Sequence, residues 1–280
     1  MAYQAEISRA NPSVFIFLID QSGSMQDGFS GSPGRSKAEE LADGVNRLLQ
    51  NLIIKCTKSA GVLDYYEIGV IGYGSGKGVG PAFLAPLQNQ DLVFISKVAD
   101  NPARIEERMK RISDGAGGIL ESKIKFQVWF EPTAESSTPM YEALQYAERI
   151  LKNWVAQHPS SYPPTVINIT DGEATDHDPI PGADAIRQLS TADGNVVLLN
   201  CHLSSQPVAS IQYPDKADNL PDNYARNLFA MSSVLPPPQV AAARSEGFAV
   251  TDHSRGFVFN AELTDMIRFL DIGTRPGNLR

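Results

Sequence analysis

Asp20, Ser22 and Ser24 close the stretch Val14–Met25, VFIFLIDQSGSM. One carboxylate and two hydroxyls on a single turn are all hard oxygen donors, the kind a small divalent cation such as Mg²⁺ accepts. The apolar run ahead of Asp20 is rich in Val, Ile and Phe, which fits a strand buried on both faces. Asp20 then falls at its carboxyl end, the edge where open α/β sheets bind ligands. The competing account of the same residues is a turn held by side-chain hydrogen bonds to its own backbone.

Two more segments offer donors at the same edge. Thr138 and Pro139 precede a helical stripe of Met140, Ala143, Leu144, Ala147, Leu151 and Trp154. Thr138 is expected to cap that helix and Pro139 to be its first residue. Asp171 directly follows Thr165–Thr170, TVINIT, a second strand of the buried kind. A doubly wound topology brings such loops together where the strand order reverses.

The elements that must position these residues alternate between strand-like runs and helical stripes. That pattern predicts an α/β fold: a doubly wound, mostly parallel central sheet with helices on both faces, Rossmann-like. A helix is expected over Lys37–Cys56, with Ser36 and Glu39 as its capping box, followed by a strand at Tyr66–Tyr73. Gly74 to Gly118 reads as an insertion with a short strand near Leu92–Ile95, a helix over Pro102–Ile112 and a break at Gly115–Gly118. Ile105, Met109 and Ile112 would share one face of that helix. Further strands are expected at Phe126–Phe130, Asn195–Cys201 and Phe257–Phe259. Further helices are expected over Pro139–Gln157, after Pro181, over Asp222–Met231 and over Ala261–Leu270. The prolines at 236–238 are expected to end regular structure. No internal repeat is visible, so residues 1–280 read as a single domain with insertions near 74–118 and 204–221.

Composition narrows the function classes. The 280 residues carry 42% hydrophobic and 20% charged side chains, an ordinary globular balance, and a net charge of −8 argues against a nucleic-acid surface. No apolar run approaches the ~20 residues of a membrane helix. The N-terminus MAYQAEISRANPS has no signal-peptide core, so a cytoplasmic location is expected. Cys56 and Cys201 read as two buried free thiols. His158, His177, His202 and His253 are scattered, and Cys201 and His202, adjacent on a strand, point to opposite faces. Gly72–Gly78, GYGSGKG, fails the phosphate-loop pattern, because Ile71 stands where glycine is needed and Gly78 where Ser or Thr should follow Lys77. Glu173, Asp176, His177 and Asp178 read as a solvated acidic loop, with a second cation site as the alternative.

Three motifs carry a family resemblance. Asp20–Ser24, DQSGS, resembles the DxSxS motif of von Willebrand factor A (VWA) domains. Ser136–Met140 is similar to that family's threonine loop, with Ser137 where glycine often precedes the threonine. Thr170–Glu173, TDGE, resembles its last motif. The likeness spans roughly Val14 to Leu270 and implies a metal-ion-dependent adhesion site. In that site Ser22 and Ser24 bind Mg²⁺ (or Mn²⁺ or Ca²⁺) through their hydroxyls. Thr138, Asp20 and Asp171 act directly or through water, and one position stays open for an Asp or Glu carboxylate of a partner protein. Among family members the chain resembles the bacterial tellurium-resistance group. That resemblance implies a stress-response or defence role with kinase or phosphatase components as partners. The expectation is an interaction module and not an enzyme. The alternative is a Mg²⁺-dependent phosphatase-like enzyme; haloacid dehalogenase-type phosphatases also place an Asp after the first buried strand, and resemblance to them would imply a second Asp where Ser22 stands.

Overall fold

The first strand divides the molecule into two halves. In β1 (Ser13–Asp20) every residue is buried. Phe15, Phe17 and Ile19 enter one hydrophobic cluster, while Val14, Ile16 and Leu18 enter another on the opposite face. Each such side chain contributes about 1.5–3 kcal/mol when removed from water. That double burial is why the sequence shows a continuous apolar run and no alternation.

The structure is a computed structural model describing residues 2–29, 32, 34–113, 119–203 and 209–274. After β1 come α1 (Lys37–Cys56), β2 (Tyr66–Ser75), β3 (Gly78–Pro81), β4 (Val93–Phe94) and α2 (Ile95–Asp100). A hairpin, β5 (Arg104–Ser113) and β6 (Ile119–Val128), leads to α3 (Met140–Gln157), β7 (Thr165–Thr170), α4 (Ile180–Gln188), β8 (Val197–Leu203) and β9 (Ile211–Gln212). The chain closes with α5 (Asn223–Met231), α6 (Pro237–Ser245), β10 (Phe257–Ala261) and α7 (Leu263–Gly273). The central sheet runs β9-β10-β8-β7-β1-β2-β3, with β4 also on β2. Pairings among β10, β8, β7, β1 and β2 are parallel; β3, β4 and β9 join antiparallel at the edges. Residues of α1, α2, α6 and α7 pack in one cluster and those of α3, α4 and α5 in the other, so helices cover both faces as expected.

The chain passes from β1 to β2 on one side and later returns to β7 on the other. The strand order therefore reverses at β1, and the loops leaving β1 and β7 diverge there to leave a crevice. The capping box on α1 is present: the Glu39 N–H donates to Ser36 Oγ at 3.2 Å and the Ser36 N–H donates to Glu39 Oε2 at 2.8 Å.

Three local expectations are corrected. The segment expected as a helix over Pro102–Ile112 is β5, paired antiparallel with β6 from Arg104↔Val128 to Ser113↔Ile119. Ile105 and Met109 do share a face, but it is exposed, at 56% and 57%. The break expected at Gly115–Gly118 lies outside the described residues. The prolines at 236–238 do not end regular structure; Pro237 opens α6, with proline at the first helical positions. There their missing N–H groups would have had no helical partner anyway. Thr138 does not cap α3. The helix starts at Met140, and its free Tyr141 and Glu142 N–H groups donate to the two carboxylate oxygens of Asp176, at 3.3 and 2.9 Å.

Candidate metal centre

Asp20 organises the first loop from inside. Its carboxylate is 1% exposed. Oδ1 accepts the Ser22 N–H at 2.8 Å and Oδ2 accepts the Thr170 hydroxyl at 2.6 Å. Burial pushes this carboxyl up to about 6, against the opposing pull of the Ser22 and Thr170 hydrogen bonds. One acid thus ties the end of β1 to the end of β7.

The two hydroxyls then line up. Ser22 Oγ lies 3.1 Å from Ser24 Oγ, and Ser24 Oγ donates to Asp171 Oδ1 at 2.7 Å. Thr138 is brought in by the second loop, which is laced to the first: the Gly23 N–H donates to the Ser136 carbonyl at 2.8 Å and the Glu135 N–H to the Gln21 carbonyl at 2.9 Å. A methyl placed on Gly172 would lie 3.5 Å from Thr138 Oγ1 and 3.7 Å from Ser24 Oγ, so both hydroxyls face the same space in front of that glycine. All five residues expected from the sequence therefore converge. Asp20 faces the loop's own N–H and Thr170; Ser22, Ser24 and Asp171 are linked through their side-chain oxygens, and the Thr138 hydroxyl lies across Gly172 from Ser24.

The donor set fits a hard cation. Metal–oxygen distances of about 2.0–2.1 Å place neighbouring ligands of an octahedron about 2.9 Å apart. The hydrogen-bonded oxygens, 3.1 Å and 2.7 Å apart, could serve as neighbouring ligands with little movement. Among the described residues no three His, Cys, Asp or Glu side chains cluster as metal ligands, so the donors here are mainly hydroxyls.

Two site residues escaped the sequence reading. Gly74, at the end of β2, has φ +92°. A Cβ there would overlap the Ser137 carbonyl oxygen and sit 2.8 Å from the Ser22 nitrogen. Its own carbonyl accepts the Ser136 N–H at 2.9 Å. Gly72 similarly leaves room for the Gln21 amide, which a Cβ would overlap. The glycine-rich run thus serves loop packing; a glycine inside a strand pattern is the signal for such close approach. The second is Lys37, the first residue of α1, whose ammonium lies 2.6 Å from Asp171 Oδ2 with a side chain 5% exposed. A cation at a helix N-terminus opposes the macrodipole, and that misfit was its signal in the sequence.

The acidic loop after Asp171 has structural work. Asp176 caps α3, and Asp178 Oδ1 accepts the Ile180 N–H at 3.0 Å at the start of α4. His177 meets the Tyr141 ring edge-on at 5.5 Å. This loop and α5 border a cleft of about 480 Å³ lined by Glu173, Thr175, His177, Asn223 and Tyr224. On the strand beside it, His202 stacks on Phe259 and burial lowers its imidazole to about 4. Both cysteines are free and buried. Among the described residues no helix is long and apolar enough to cross a membrane.

No family model matches the sequence, and no curated protein matches it. Solved structures do. The von Willebrand factor domain of the type V pili tip protein Mfa5 from Porphyromonas gingivalis is 11% identical, with 96% of this chain and 98% of that one covered and a TM-score of 0.45. The ArnB paralog VWA2 from Sulfolobus acidocaldarius is 14% identical, with 72% of this chain and 37% of that one covered and a TM-score of 0.33. The adhesive tip pilin GBS104 from Group B Streptococcus agalactiae is 13% identical, with 59% and 46% covered and a TM-score of 0.30.

Proposed function

We propose that this chain is a VWA-type interaction module that holds Mg²⁺ at Ser22, Ser24, Thr138 and Asp171, with Asp20 fixing the loop, and takes a partner protein's Asp or Glu carboxylate there. The observation that carries this reading is the meeting of hard oxygen donors from three separate loops, Ser22 and Ser24, Thr138, and Asp171, at the point where the strand order reverses. A bound cation would supply Lewis acidity for a carboxylate oxygen. The chain's own part is to present hydroxyls, which add no negative charge and leave that acidity largely intact. Ser24 is exposed, so the site is open to a partner. The cleft beside it carries the acidic Glu173, which favours a partner whose carboxylate is followed by a basic residue. The stress-response setting and the kinase or phosphatase partners rest on the sequence resemblance alone. Catalysis is not part of the proposal: the position at which haloacid dehalogenase-type phosphatases carry their acid/base Asp is Ser22.

The test uses Ser24→Ala, an exposed position whose loss spares the fold, in preference to the buried Asp20. Mg²⁺ at a hundred times its Kd raises wild-type stability by about 2.7 kcal/mol. Ser24→Ala should abolish that rise, and carboxylate-dependent partner capture should vanish with chelator. A variant with the wild-type Mg²⁺ response sinks the proposal, as does phosphatase turnover that Asp20→Asn removes.

A further inference from the structure

The buried lysine at this centre has no role in the reading above. Lys37 Nζ lies 2.6 Å from Asp171 Oδ2, 3.5 Å from the Ser24 carbonyl and 3.7 Å from Asp27 Oδ2. The Asp171 side chain is fully buried, whereas that of Asp27 is 66% exposed. Both oxygens of Asp171 are therefore engaged, Oδ1 by the Ser24 hydroxyl and Oδ2 by the ammonium. A divalent cation served by Asp171 and Ser24 would stand within a few ångströms of that ammonium in a poorly solvated place, where like charges repel strongly. Asp20, the other buried carboxylate here, is already taken by the Ser22 N–H and the Thr170 hydroxyl, so the two cations contend for Asp171, and only the lysine is covalently held nearby. Asp27 gives its ammonium somewhere to go: it lies on the solvent side of the same head group and a short swing of the flexible side chain reaches it.

We propose that the Lys37 ammonium and the divalent cation are alternative occupants of the Asp171 carboxylate, with Asp27 receiving the lysine when the cation binds. This rests on the Mg²⁺ reading above. Lys37 then acts as an internal competitor that sets the cation concentration at which the module becomes able to take a partner carboxylate. In its absence Asp171 has, among the described residues, only the Ser24 hydroxyl as a hydrogen-bond partner. The lysine thus keeps the cation-free site charge-balanced, and it weakens cation binding by the same interaction. Asp27 works in the opposite direction, stabilising the displaced lysine.

The experiment is calorimetric titration of Mg²⁺ into the wild-type chain, Lys37→Met and Asp27→Asn. Methionine keeps the apolar stem and removes the charge; near-ultraviolet circular dichroism checks that each variant is folded. Lys37→Met is expected to bind Mg²⁺ at least tenfold more tightly, and Asp27→Asn severalfold more weakly. Binding by Lys37→Met where the wild type shows none also supports the proposal. Wild-type binding with Lys37→Met unchanged or weaker overturns it and leaves the cation site standing. No binding by any of the three chains overturns the cation reading itself. An independent readout needs no variant: amine-reactive labelling of Lys37, followed by mass spectrometry, should rise at saturating Mg²⁺ as the ammonium leaves its 5% exposed position. Labelling that stays flat while Mg²⁺ binds overturns the exchange.

Discussion

Substituting Gly74 by Ala should damage the site more than any other single methyl. Two costs add. The backbone has φ +92°, where an L side chain is strained by about 1–2 kcal/mol. The new Cβ would also overlap the Ser137 carbonyl oxygen and press on the Ser22 nitrogen at 2.8 Å and Cα at 3.1 Å. These are backbone atoms on two loops that are hydrogen-bonded to each other, so neither can rotate away, and forcing them apart costs about 1–3 kcal/mol. The expected destabilisation is about 2–5 kcal/mol, a large part of a typical domain's 5–15 kcal/mol. Gly78→Ala is the internal control. Its φ is +79° with nothing within 4 Å of the new carbon, so it should show the backbone term alone. Urea unfolding of both variants isolates the overlap as their difference. Because the strain separates the Ser22 and Thr138 loops, Mg²⁺ affinity should fall by about 10- to 100-fold in Gly74→Ala, as for other residues that orient ligands without touching the metal. Equal unfolding midpoints for the two variants, with Mg²⁺ affinity intact, would refute the argument that Gly74 sets the loop spacing.

Two other perturbations test the surroundings. Asp20 and His202 oppose each other in acid. His202, lowered to about 4 from 6.5, stays neutral in the fold while the unfolded chain takes up a proton. Its contribution, up to about 3 kcal/mol, is present above pH 6.5 and lost as pH falls toward 4. Asp20, raised to about 6 from 3.8, holds its proton in the fold, so stability declines as pH rises from 3.8 to 6 by a similar amount. The contributions of these two groups should therefore nearly cancel between pH 4 and 6 in the cation-free protein. His202→Phe should become more stable toward pH 4 and Asp20→Asn less stable; parallel melting curves for all three would contradict the assignment. Asp176→Ala leaves two N–H groups at the start of α3 without acceptors, and should cost about 1 kcal/mol, up to 2, in urea unfolding. A change under 0.3 kcal/mol would refute a capping role for Asp176.

The parts of the fold that could be read in advance are those whose burial writes itself into the sequence. β1, β7 and β8 are buried along their whole length; β1 appears as an unbroken apolar run, and β7 and β8 as apolar runs without alternation, interrupted by Asn168 and by Asn200 and His202. The capping box on α1 was legible because both its members lie within one turn. The β5–β6 hairpin failed the same test for a definite reason. Ile105 and Met109 are four apart, a spacing that shares a face on a helix and equally on a strand, since four is a multiple of two. Both are exposed, so no core decides between the two readings. The hairpin instead gains its anchor from Arg108, which reaches Asp43 of α1 at 2.8 Å and lies 3.6 Å over the Phe126 ring. Contacts of that kind leave no period in the sequence.

The same distinction separates the legible and illegible halves of the site. Ser22, Ser24 and Asp171 are donors by residue type, so the motif names them wherever the loops go. Gly74 and Lys37 matter only through where other loops lie. A glycine that admits Ser137 and a lysine that balances Asp171 are each ordinary in their own segment. Both nevertheless broke a local rule: a glycine within strand β2, and a cation at the start of α1 where the macrodipole disfavours it. A residue that violates its element's preference has to be compensated by something distant in sequence, and here both compensations meet at one crevice. Where such violations fall at the same sheet edge as a ligand motif, the residue types and their order along the chain are sufficient grounds for counting them in the site.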